Sequence, residues 1–107
     1  MEYTKLNFEG YEEYLVSEGG NFFGGYAYEF KFENNYGASI IKHCFSYGNE
    51  DDLFELAVLY NGKITYGTEI TKDVLGYLDN DDVLAVLNQI KELKEWGFND
   101  YIQCDII

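Results

Sequence analysis

His43-Cys44 is the one place in the chain where an imidazole and a thiol are neighbours. It lies in a run with strand patterning, where adjacent side chains point to opposite faces. The two cannot meet there as base and nucleophile without a bulge. Cys104 is too remote in sequence to complete a recognisable zinc spacing with them. The pair therefore reads as a half-buried strand histidine and a core thiol, and Cys44 and Cys104 are expected as reduced thiols rather than a disulfide. Asp79-Asn80-Asp81-Asp82 resembles the start of a calcium loop, but an EF-hand requires glycine at its sixth position and glutamate at its twelfth, where this chain has Leu84 and Ile90. These acids read instead as helix-capping groups. No glycine spacing matches a phosphate-cradling loop, and a chain without arginine is poorly equipped to clamp a phosphoryl group. With no catalytic constellation, neither an enzyme nor a bound cofactor or metal is expected.

What remains is carboxylate. The 107 residues hold 20 Asp and Glu against 7 lysines, a formal charge of −13, and the pI is about 4.1. Such a balance excludes direct binding to nucleic acid and to anionic membranes, and no apolar run approaches the roughly 20 residues that span a bilayer. It also exceeds the magnitude of about 2 to 8 that keeps a small domain soluble. The acids concentrate in two clusters, Glu50, Asp51, Asp52 and Glu55 before and within one strand, and Asp79, Asp81 and Asp82 at the start of a helix. Same-face residues on a strand repeat about every 6.6–6.8 Å, a step of the same order as the spacing of phosphates along one nucleic-acid strand. Carboxylates on such a scaffold can imitate a phosphate row, and exposed tyrosines such as Tyr47 and Tyr66 would add flat contact area for cationic partners.

The elements that must position these groups follow from periodicity. Tyr26, Tyr28, Phe30 and Phe32 alternate with polar residues and predict a strand over 26–33 with one aromatic face. Asn34-Asn35 predicts a turn into a second strand over 36–47, and a polar break at 48–52 precedes a third over 53–60 that is apolar on nearly both faces and so central. Asn61-Gly62 predicts a tight hairpin into Lys63–Ile70. Thr71 can cap a short turn through Gly76, and Asp79 or Asn80 can cap an amphipathic helix over 80–96 carrying Val83, Val86, Leu87, Ile90 and Leu93, with Gly97 at its C-cap. The tail after Phe98 alternates like a strand, and Tyr11–Ser17 is read as strand over short helix. With 47% apolar residues, the expectation is one domain over 1–107. Its fold class is α+β: an antiparallel β-meander of four to six strands with one C-terminal amphipathic helix packed on one face. Met1–Lys5 carries no secretory pattern, which predicts a cytoplasmic protein.

Three segments, FENNYGASIIKH (32–43), DDLFELAVL (51–59) and ITKDVLGYL (70–78), resemble small proteins of bacteriophages and mobile elements of Gram-positive bacteria. The resemblance implies a phage accessory protein of the anti-CRISPR type, a DNA mimic acting in the host bacterial cytoplasm. Its partner would be a bacterial protein with a basic nucleic-acid-binding surface, such as a Cas effector, which reads its target through arginines and a positively charged channel. Two other readings stand beside it. One is a homodimeric or phage-assembly module that uses strand 53–60 or the tail as an edge; the other is an enzyme acting on a small molecule.

Overall fold

A computed structural model describes residues 2–22, 24–68, 70–71 and 73–94. Among the described residues six antiparallel strands form one sheet: β1 (Leu15–Phe22), β2 (Gly25–Lys31), β3 (Tyr36–Lys42), β4 (Phe54–Tyr60), β5 (Lys63–Ile64) and β6 (Leu75–Leu78). One helix, α1 (Asn80–Lys91), follows β6 and lies over β3, β4 and β6. The fold is α+β, as the sequence implies. The tail strand expected after Phe98, Gly97 and Cys104 fall outside the described residues.

The β2–β3 hairpin turns at Asn35, whose φ of 70° is a conformation that asparagine tolerates better than most residues. Its register sets Tyr28 opposite Ile40 and Phe30 opposite Ala38, and β4 continues both rows with Leu56 and Val58. All six of these side chains are buried, and Val83, Val86, Leu87 and Ile90 of α1 close over them. Fully burying a side chain of this size contributes about 1.5–3 kcal/mol, so this layer dominates the stability of the domain. The aromatic face anticipated for β2 is therefore the core face.

Several boundaries differ from expectation. The run over 36–47 ends as a strand at Lys42, because residues 43–48 form a hydrogen-bonded turn. The segment 11–17 divides into a short 3-10 turn at Glu12–Tyr14 and the start of β1. At Asn61-Gly62 the hairpin forms, with both residues at positive φ, but the strand expected over Lys63–Ile70 stops after Ile64. Residues 66–68, 70–71 and 73–74 lie off the sheet, and β6 then pairs on the same side of β4, Leu75 with Leu56 and Leu78 with Phe54. β5 and β6 are thus two pieces of one interrupted strand. In place of a cap running to Gly76, the Thr71 hydroxyl closes a local turn with Asp73. Because β4 is paired on both sides, it is central and cannot serve as a dimer edge.

α1 begins in a capping box: the Asp79 carboxylate accepts from the Asp82 amide at 2.7 Å and the Asp82 carboxylate accepts from the Asp79 amide at 3.1 Å. It ends at Lys91, five residues short of the expected 96, and its last carbonyls are met from outside the helix. Asn34 Nδ2 donates to the carbonyls of Ile90 (2.9 Å), Lys91 (3.2 Å) and Leu93 (2.8 Å), while Asn34 Oδ1 accepts from the Tyr36 amide. The β2–β3 turn therefore caps the helix C-terminus, where orphan carbonyls would otherwise need water. Asn34→Ala removes both functions and is expected to destabilise the domain by about 2 kcal/mol. Asn34→Asp should not restore it, because it sets a carboxylate against the negative helix end. Urea denaturation of both variants checks this, and wild-type stability in either would remove the capping role.

Candidate functional site

The β6–β4 register brings the two acidic clusters to one end of the sheet. Phe54 pairs with Leu78, so the turn carrying Glu50 and Asp51 lies beside the segment leading into Asp79 and α1. The N-terminal segment straps this end together. Asn7 and Asn80 exchange two hydrogen bonds, from the Asn7 amide at 2.7 Å and from Asn80 Nδ2 at 2.8 Å, and Tyr3 donates to Asn49.

At the centre of the strap sits a buried lysine. Lys42 ends β3 on the core face with 1% of its side chain exposed, its ammonium 3.7 Å from the centroid of the Phe54 ring. It donates to Asp52 Oδ1 (3.0 Å) and to the Thr4 carbonyl (2.9 Å), and Thr4 returns its amide (2.9 Å) and hydroxyl (2.6 Å) to the same Asp52 carboxylate. Burial pushes the Asp52 carboxyl up, but the hydrogen bonds from Thr4 together with the Lys42 ammonium outweigh it and hold the group below the ordinary carboxylate value. Asp52, grouped by sequence with the acids open to a partner, is committed to holding Lys42 and the N-terminal strap.

The remaining candidates divide by use. Asp79 and Asp82 hold the capping box, and Glu55 Oε1 accepts from the Tyr47 amide at 2.9 Å, which ties the turn to β4. Glu50, Asp51 and Asp81 are exposed, and their side chains make no hydrogen bond or ion pair among the described residues. Glu50 and Asp51 border an open depression of about 290 Å³ whose other walls include Phe45, Tyr47 and Tyr77. All three rings are exposed, by 72%, 60% and 62%. Tyr66 is also exposed but lies where the chain leaves β5, and it does not line this depression.

Close backbone approach builds the depression. Gly48 (φ 92°) and Asp52 (φ 60°) bracket a 3-10 turn over Asn49–Asp51, and a Cβ on Gly48 would come within 2.9 Å of Tyr77 Cα. A Cβ on Gly76 would meet that of Tyr47 at 2.6 Å. The Tyr77 amide donates to the Tyr47 carbonyl, and Tyr77 itself holds φ at 60°, a conformation costly for a bulky residue. The turn and β6 thus lock together and push Tyr47 and Tyr77 outward. Tyr47 stands out in the sequence as an aromatic beside an acidic run. Phe45 and Tyr77 do not, since one sits in an apparent strand and the other in a segment whose pairing is non-local.

His43 and Cys44 require two corrections. His43 lies in the turn after β3 and is buried at 7% exposure, with Nδ1 accepting from the Phe45 amide at 3.1 Å. Cys44 is an exposed free thiol, because the strand alternation that would turn it inward ends at Lys42. Among the described residues no three His, Cys, Asp or Glu side chains are placed to hold a metal, and no helix is long and apolar enough to cross a membrane. The chain matches no protein-family model, no curated protein and no solved structure.

Proposed function

We propose that this protein is a stoichiometric, non-enzymatic inhibitor that binds a cationic nucleic-acid-binding surface of another protein. The observation that carries the reading is the pair of exposed carboxylates, Glu50 and Asp51, with no side-chain partner among the described residues, beside three exposed aromatic rings on a chain of charge −13. An exposed aromatic patch rimmed by charge of one sign is characteristic of a surface that meets a partner, and the sign selects a basic one. The resemblance of residues 32–43, 51–59 and 70–78 to small phage proteins directs the proposal to a bacterial defence enzyme of the Cas-effector kind, met in the host cytoplasm.

A contact through a sheet edge is the competing reading, and β1 is where it would form. Its outer side is unpaired among the described residues and Val16 is 56% exposed. Two register irregularities and Glu18 interrupt that edge, devices that discourage strand addition.

Affinity capture from a host lysate at low salt, eluted by a salt gradient, supplies the partner. Binding to it is expected to fall steeply between about 50 mM and about 200 mM salt. Glu50→Lys with Asp51→Lys should weaken it roughly tenfold, at about 0.5–1 kcal/mol for each reversed rim charge. An affinity that ignores both salt and charge reversal refutes the reading. Asp52 is not a suitable site for this test, because reversing its charge would expel Lys42.

A further inference from the structure

We infer that the depression between the 43–51 turn and β6 receives an arginine side chain from a basic segment of the partner. This rests on the reading of the protein as a ligand for a cationic surface, and it names the group recognised. The walls supply the two things a guanidinium uses best. Phe45, Tyr47 and Tyr77 present exposed rings, and a planar, weakly hydrated guanidinium lies against an aromatic face more favourably than a compact ammonium does. Glu50 and Asp51 on the same rim offer carboxylate oxygens, which the guanidinium fork can engage in pairs.

Other occupants fit less well. An apolar side chain would desolvate the two carboxylates without pairing them, and an anionic group would be repelled. The chain has no arginine of its own, and none of its described lysines lines the depression. Lys42 is buried against Asp52, while Lys5 and Lys91 sit over Tyr26 and Tyr14. The protein already places three lysines over aromatic rings elsewhere. At this depression the rings and acids are present, and no described lysine is placed over Tyr47 or Tyr77.

The test uses two probes of equal charge, hexaarginine and hexalysine, titrated into the full chain at low salt and followed by amide chemical shifts. Hexaarginine is expected to bind severalfold more tightly, with the largest shifts at residues 45–51 and 77. Each exposed ring is worth about two- to fivefold to a guanidinium, so Phe45→Ala with Tyr47→Ala should cost hexaarginine about tenfold and hexalysine distinctly less. Both rings are exposed, and matching thermal unfolding of the variant establishes that the fold survives. Equal affinity for the two peptides, shifts spread evenly over the acidic surface, or an indifferent variant overturns the arginine site while leaving the cationic-surface reading intact. Failure of both peptides to bind overturns that reading itself.

Discussion

Asp52→Ala is expected to lower the unfolding free energy by about 3 kcal/mol, whereas Lys42→Met should cost about 1 kcal/mol or less. The asymmetry follows from burial. Lys42 has 1% of its side chain exposed, so removal of Asp52 strands a charge in the core with only the Thr4 carbonyl and the Phe54 ring beside it. Asp52 is 33% exposed and keeps two hydrogen bonds from Thr4, so it tolerates loss of its lysine, and a methionine refills the apolar slot. The same carboxylate makes stability depend on acid. Burial raises the Asp52 pKa, but Thr4 and Lys42 bring it below its unfolded value near 3.9, so its contribution is complete above about pH 4 and is lost as pH falls through the lower folded value. Urea midpoints over the acid range should show this decline in the wild type and a shallower one in Asp52→Ala. Equal costs for the two substitutions would mean that Lys42 does not depend on its partner.

Gly48→Ala is the second large effect, and it concerns the site directly. At φ 92° an alanine is strained, and its Cβ would stand 2.9 Å from Tyr77 Cα, 3.0 Å from Tyr77 N and 3.1 Å from Leu53 Cβ. The turn and β6 must separate to admit it. Strain and overpacking together are expected to cost about 3 kcal/mol. Gly62→Ala is the matched comparison, since Gly62 has φ 81° and nothing within 4 Å of the added Cβ. That substitution carries the backbone penalty alone, about 1 kcal/mol. Equal destabilisation of the two variants would show that the approach of Gly48 to Tyr77 is not tight, and with it the construction of the depression would fail.

Features readable in the sequence were local. The alternation of Tyr26, Tyr28, Phe30 and Phe32 identified the core face of β2, Asn61-Gly62 placed a hairpin, and Asp79 with Asp82 marked the start of α1. Features hidden from it depend on contacts between distant residues. β6 has no period-two alternation and one residue at positive φ, so nothing in Leu75–Leu78 announces a strand until β4 is there to pair with it. The role of Asp52 depends on Thr4, 48 residues earlier, and on a lysine that polarity alone would place in solvent. The acids were legible as a charge. Which of them stay open was not, because that is decided by the strap, the capping box and the Tyr47 turn.

Competition between this protein and nucleic acid for a captured partner tests the central claim most directly. With the partner's nucleic acid bound at saturation, the apparent affinity of the acidic protein should fall in proportion to occupancy, and Glu50→Lys with Asp51→Lys should weaken its ability to displace that ligand. A stable ternary complex, with the protein and the nucleic acid bound to the partner at the same time and at undiminished affinity, would contradict the account.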